Sequence, residues 1–200
     1  MRLFRTKLNT AVIVLIPACV GINYIGKLFA SLLKLPLWLD SIGTCLGACL
    51  GGPIIGAVCG AVNNLVFVLT TGDSVPLIYA LTSLGIGFFT GIMARLGYMK
   101  SFGKAIITAL VAVAAAVVIS TPLNIIFWDG QTGNLWGDAV FVAMQSASMP
   151  VWFSSLIDEV VVDLPDKIVT LVLTFLILKG LPMKLTSLYD VDDGIEVLED

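Results

Sequence analysis

Apolar residues fill this chain in blocks of helical length, and polar residues appear mainly as short punctuation between them. The blocks at 8–33, 75–95, 105–127 and 164–181 each approach the ~20 residues that carry a helix across a bilayer. Between the first two lies DSIGTCLGACLGGPIIGAVCGAVNN, residues 40–64, where Gly43, Gly47 and Gly51, then Gly52, Gly56 and Gly60, form two four-residue ladders. That spacing puts a bare backbone stripe on one face of each of two helices, 40–51 and 53–69. Gly51 and Gly52 make the turn, and Pro53 suits a first helical turn. Small residues so arranged let helices approach closely in lipid. The pattern predicts six helices, the first broken or kinked near Pro17, with a loop at KLPLWL (34–39), another at TTGDS (70–74) and a basic one at RLGYMKSFGK (95–104).

Hydrophobicity falls between Trp128 and Pro150. WDGQTGNLWGD reads as polar and turn-rich, and 139–149 as a helical piece too short to span. The expectation is a long loop containing its own helix between the fifth and sixth helices. Loops beyond about 15 residues are usually functional or disordered, and Trp128, Trp136 and Trp152 favour an ordered lid. The acidic run Asp158, Glu159, Asp163 and Asp166 is placed at the entrance to the sixth helix. There Asp163 either meets a ligand or, with Asp166, caps free amides at the helix start, and Asp166 with Lys167 forms an interfacial charge pair in the plainer reading. Residues 1–185 read as one transmembrane domain and 186–200 as an acidic cytoplasmic tail.

Composition changes the picture from apolar helices to a membrane protein. Of 200 residues 58% are hydrophobic and 12% charged, with mean hydropathy +1.02; ordinary soluble domains carry about twice that charge. The N-terminal MRLFRTK followed by an apolar run imitates a signal peptide, but the run is too long for an h-region and reads as the first span. Basic residues fix the orientation, because Lys and Arg collect in cytoplasmic loops. With six spans, Arg2, Arg5, Lys7, Arg95, Lys100, Lys104, Lys179 and Lys184 lie inside with both termini, leaving Lys27, Lys34 and Lys167 towards the outside. The acids outside the tail, from Asp40 to Asp166, all fall at the outer level. An outer vestibule therefore gathers carboxylates, amides and tryptophans.

The chemistry available is limited. Histidine is absent, which removes the commonest metal ligand and general base, and no base–nucleophile pair accompanies the serines and aspartates, so catalysis, metal binding and cofactors are not expected. Cys19, Cys45, Cys49 and Cys59 lie in apolar runs and read as small packing residues. Polar groups inside or at the rim of a membrane are costly unless paired or wet, and a flat heterocycle is held well between an aromatic face and a few directed hydrogen bonds. On these grounds the candidate substrate-binding residues are Asp40, Asn63, Asn64, Asn124, Trp128 and Asp163, with Trp38 and Tyr79 behind them. Each has a plainer role open to it: Asn63 and Asn64 as ties between helices, Trp38 as an interfacial anchor. Lys27 either snorkels to the interface or meets a carboxylate or ligand. The excess of carboxylates favours a cationic or hydrogen-bond-donating compound over a bare carboxylate.

LPLWLDSIGT, GGPIIGAVCGAVNNL, the small-residue fourth helix and the late VVVDLPDK, in this order, resemble the substrate-binding S components of energy-coupling factor (ECF) transporters. The resemblance covers roughly residues 8–184. It implies a six-helix bundle that binds a vitamin or similar micronutrient at the extracellular side of a prokaryotic cell membrane. The partners it implies are a transmembrane coupling subunit and two ATPases, which power uptake while the S component is thought to topple; loop 1 and the loop after helix 5 close over the ligand. The chain has no GxxxxGK[ST] phosphate loop, in keeping with ATP hydrolysis by partners, and no nucleic acid is expected. In the family an Ala-x-x-x-Ala pattern of helix 1 packs on the coupling subunit. Here the nearest run holds Pro17, Ala18 and Gly21, and the alanine pair is not intact.

Three other readings are distinguishable. A ligand-sensing receptor would use the same bundle but expects an attached signalling domain. A glycine-zipper protein forming an oligomeric pore expects polar residues along a whole helix face, whereas here they gather at one level. An intramembrane enzyme lacks its usual participants.

Overall fold

A computed structural model describes residues 9–189, and among them helices are the regular secondary structure, with no strand. The elements are α1 (Thr10–Leu32), α2 (Ile42–Gly51), α3 (Pro53–Thr71), α4 (Val75–Ile78), α5 (Ala80–Arg95), α6 (Phe102–Trp128), α7 (Leu135–Ser146), α8 (Val151–Gly180) and α9 (Met183–Thr186). Three of them, α1, α3 and α6, are long and apolar enough to cross a membrane. The expected acidic tail lies, from residue 190 on, outside the described residues.

Local sequence explains most of the helix ends. Asn9 caps α1, its side chain accepting from the Val12 amide at 2.9 Å, and α1 then continues through Pro17 without a break. At the Gly-Gly-Pro turn Gly52 takes φ 90°, which favours glycine, and Pro53 opens α3. Asn134 caps α7 by accepting from the Trp136 amide at 3.0 Å.

Two boundaries differ from the sequence expectation. The block at 75–95 is split, because Tyr79 sits at ψ −1° between the single turn α4 and α5. More consequentially, the last long helix begins at Val151, not near residue 164, and its 30 residues extend roughly 45 Å. Asp158, Glu159, Asp163 and Asp166 are thus not at its N-terminus and cap nothing. They sit inside the helix on a buried face with Ser154, Ser155, Lys167, Thr170 and Thr174. The connection between α6 and α8 shrinks accordingly to two short turns flanking α7.

All ten residues of α2 are buried, as suits a helix apolar on every side. It packs against α1, α3, α5 and α8, while α3 lies on α5, α6 on α8, and α7 on the outer part of α8. The glycine ladders make these approaches possible. A Cβ at Gly43 would stand 2.6 Å from the Cys19 carbonyl carbon of α1, and one at Gly56 would stand 2.6 Å from the Gly87 carbonyl oxygen of α5. The second ladder thus serves α3 against α5 as well as against α2, since a Cβ at Gly56 would also meet Ala48 of α2. The four cysteines are buried and free in this core. Large apolar side chains such as Ile13, Ile25, Leu69, Val118 and Ile126 are exposed on the outside. The Asn9 side-chain amide donates to the Leu188 carbonyl at 2.8 Å, so the start of α1 and the turn after α9 lie at the same end of the bundle.

Candidate functional site

At the opposite end the helices open around a cavity of about 330 Å³, within the range of small-molecule sites. Its walls come from α1 (Lys27), α3 (Asn64, Phe67), α5 (Thr82, Ser83), α6 (Ser120) and α8 (Glu159, Asp163, Lys167), with Trp38 and Asp40 from the loop before α2. Tyr79, at the α4–α5 junction, lines it too, and Thr132 and Gly133 close it from the turn before α7.

Two charge clusters organise the walls. Near the mouth Lys27 Nζ lies 3.6 Å from Asp40 Oδ2 and 4.4 Å from the centre of the Phe67 ring, a cation–π distance; Tyr24 stacks on that ring. Lys27 therefore meets a carboxylate and does not simply snorkel. Deeper in, Lys167 is 2% exposed and lies between two carboxylates, 3.3 Å from Asp163 Oδ1 and hydrogen-bonded to Asp166 Oδ2. A charge so placed is tolerated only when paired.

A relay of neutral groups positions the remaining acid. The Tyr79 hydroxyl donates to Asn124 Oδ1 at 2.6 Å, and Asn124 Nδ2 donates to Glu159 Oε2 at 2.8 Å. One turn further along α8, Asp163 lies beside Glu159 on the same buried face. On the facing wall Asn64 Nδ2 donates to Ser83 Oγ at 2.7 Å and to the Gly60 carbonyl at 3.0 Å.

The covering segments are tied to the same helix. Asp166 Oδ1 accepts the backbone amides of Trp38 (3.0 Å) and Leu39 (2.8 Å), so the carboxylate that pairs with Lys167 also holds down the loop at 33–41. Lys34 and Leu39 of that loop have φ of 50° and 51°, a left-handed conformation that non-glycine residues rarely adopt without support. Trp136 of α7 adds a bond from its indole Nε1 to the Lys34 carbonyl at 3.1 Å. The second cover, at 129–134, is fastened by Thr132 Oγ1 donating to Asp158 Oδ1 at 2.9 Å. Asp138 accepts the amides of Thr132 and Gly133.

Of the candidates read from sequence, Trp38, Asp40, Asn64, Tyr79 and Asp163 share this cavity. Asn124 stands behind the wall and acts on it through Tyr79 and Glu159. Trp128 is likewise not part of the lining, and its buried indole Nε1 finds no hydrogen-bond partner among the described residues. Asn63 is fully buried, is not in the lining, and its amide finds no hydrogen-bond partner among the described residues. Pro17, Ala18 and Gly21 are exposed together on the outer face of α1. Glu159, Lys167, Phe67, Ser83 and Thr132 were not among the candidates. For the first two the signal existed: Ser155, Glu159, Asp163 and Lys167 recur every four residues, a polar stripe on one helix face. It becomes visible only once the helix is extended back to Val151.

Chemically, the chamber offers directed hydrogen bonds, aromatic faces and carboxylates. Among the described residues no three His, Cys, Asp or Glu side chains are grouped to hold a metal ion. Comparison with known protein families, characterised proteins and solved structures gives no match.

Proposed function

We propose that the protein is a substrate-binding membrane subunit of ECF-importer type. It takes a vitamin or related micronutrient into the chamber from the extracellular side, then delivers it inward when docked on a coupling subunit driven by two ATPases. The observation that carries this reading is the chamber itself: a polar, aromatic-walled cavity of about 330 Å³ at one end of an otherwise apolar helical bundle, with two covering segments fastened to α8. Isolated polar groups at this depth would be costly, and a ligand gives their convergence a purpose.

The course of the chain agrees with six spans. Successive long helices alternately reach and leave the cavity end, α1 arriving at Lys27, α2 leaving from Asp40, α3 arriving at Thr71, α5 leaving from Tyr79, α6 arriving near Asn124 and α8 leaving past Glu159. With Asn9 and Leu188 together at the far end, the basic residues around 95–104 and at Lys179 and Lys184 share that end, as the positive-inside rule expects of a cytoplasmic side. A glycine-zipper pore is disfavoured, since Gly43, Gly47, Gly51, Gly56 and Gly60 are all buried within the chain and leave no such stripe for a second copy. The exposed face at Pro17, Ala18 and Gly21 is the surface proposed to meet the coupling subunit.

The test is mass spectrometry of small molecules that co-purify with the detergent-solubilised protein, followed by titration of the identified compound. Asp40→Asn and Asn64→Ala should each weaken binding about tenfold, the effect of losing one charge-assisted or well-placed hydrogen bond. Unchanged affinity in both variants would remove the chamber from consideration as the binding site. Affinity capture of a coupling subunit and two ATPases from the native membrane tests the transport role separately.

A further inference from the structure

The charges around the chamber do not balance, and the imbalance is local. At the mouth Lys27 and Asp40 form a one-to-one pair. Deeper in, a single lysine serves three acids of α8. Lys167 contacts Asp163 and Asp166, and Asp166 is further engaged by two backbone amides of the loop at 33–41. Glu159 accepts from the neutral Asn124 amide on Oε2. Asp163 is 3% exposed, lines the cavity, and its Oδ2 is buried with no hydrogen-bond donor among the described residues. A buried carboxylate oxygen at a cavity wall, beside a second acid one helical turn away, requires a proton or a donor from outside the chain, because an uncompensated buried charge costs several kcal/mol.

Resting on the function proposed above, we infer that the substrate carries a cationic or multiply N–H-donating head, an amine, amidine or protonated amino-heterocycle, which docks on Glu159 and Asp163. The four-residue spacing on α8 presents the two carboxylates side by side, a geometry suited to a planar group with two N–H bonds directed the same way. The Phe67, Trp38 and Tyr79 side chains supply aromatic surface for the rest of the molecule. Asp40, the acid most prominent in the sequence, is already paired with Lys27 and has a lesser part in choosing charge. A bare carboxylate or phosphate would face Glu159 and Asp163 directly and is excluded by like-charge repulsion.

The experiment equilibrates detergent-purified protein with an equimolar mixture of cationic, neutral and anionic heteroaromatic vitamins and their precursors, then identifies retained species by native mass spectrometry. Thermal unfolding of each variant without added compound is measured in parallel. The retained compound should be cationic or bear at least two N–H donors. Glu159→Gln and Asp163→Asn should each weaken its binding tenfold or more, while Asp40→Asn weakens it less than either. Unfolding of Glu159→Gln without added compound should occur at or above the wild-type temperature, because the carboxylate serves the ligand and not the fold. Retention of an anionic compound, or undiminished binding by both α8 variants, overturns the inference and leaves the binding function standing. Retention of nothing from the mixture or from the cell overturns both. A fall in unfolding temperature of Glu159→Gln, with binding by the folded fraction intact, makes Glu159 structural and also overturns the inference.

Discussion

Gly43→Ala is the sharpest single-methyl test of how this bundle is packed. The added Cβ would stand 2.6 Å from the carbonyl carbon and 2.8 Å from the Cα of Cys19. These are backbone atoms of α1, which cannot rotate out of the way. The Cys19 carbonyl oxygen would lie closer still, so reaching ordinary van der Waals contact at 3.4 Å requires α2 to move from α1 by more than about 0.8 Å. The same movement stretches the bonds that hold the start of α2, where Asn23 Oδ1 accepts from the amides of Gly43 at 2.7 Å and Thr44 at 3.2 Å. Losing both costs about 2 kcal/mol, and the overpacking itself adds about 1–3 kcal/mol. Alanine returns about 0.5–1 kcal/mol through its better helix propensity. The net expectation is a destabilisation of about 2–4 kcal/mol, or roughly 5–15 °C in unfolding temperature for a chain of this size.

The control is Gly21→Ala. Gly21 lies on α1, two residues beyond Cys19, and a Cβ there meets nothing within 4 Å. Only the propensity gain applies, so this variant should be neutral or slightly stabilised. The two substitutions are chemically identical and predicted to differ in sign. Tryptophan fluorescence during thermal unfolding in one detergent would measure both, with Trp38, Trp128, Trp136 and Trp152 as reporters. If Gly43→Ala unfolds at or above the wild-type temperature, or Gly21→Ala falls as far as Gly43→Ala, the close α1–α2 approach is not what the glycine provides.

Two further expectations follow from buried polar groups. Asp166→Ala removes the acceptor of the Trp38 and Leu39 amides and one of the two carboxylates on Lys167; hydrogen exchange at those amides should accelerate at least tenfold, while amides of α3 keep their protection, and equal protection in the variant would refute the clamp. Asn23→Ala deletes three hydrogen bonds, two accepted from α2 amides and one donated to Thr44 Oγ1 at 2.8 Å, at a fully buried site. It should cost about 2–4 kcal/mol in the same unfolding assay, and a loss under about 1 kcal/mol would mean that water or a relaxed α2 satisfies those groups.

The helix pattern was legible where composition alone decides it. Residues 8–33 and 105–127 are predominantly apolar and flanked by polar loops, and α1 and α6 end within a few residues of those limits. The Gly51–Gly52–Pro53 turn was legible because each residue has a backbone reason to be there. Less visible was where a helix continues despite polar residues. The stretch at 151–163 contains Asp158, Glu159 and Asp163, so its hydropathy resembles that of a loop, and a hydropathy reading ends the span at 164. Hydropathy averages around the helix, whereas folding responds to each face separately. One face of α8 carries Val161, Leu164 and Val169 outward, and the other carries the acids and Lys167 inward.

The same point explains which site residues sequence reasoning could place. Asp40 and Asn64 stand at the ends of the glycine stretch, so antiparallel α2 and α3 bring them to one level, and both line the cavity. Asn63 and Asn64 are adjacent in sequence but about 100° apart around α3, and only one of two such neighbours can face a given wall. Asn64 does, bonded to Ser83, while Asn63 is buried elsewhere. Lys167 is harder to foresee, because a lysine near a helix end ordinarily snorkels to water. Moving the start of α8 back to Val151 places Lys167 more than four turns into the helix, beyond the reach of its own side chain to the near end. From that depth it needs the two acids beside it, and those acids, shared with the loop at 33–41 and the cavity wall, tie the cover of the chamber to its floor.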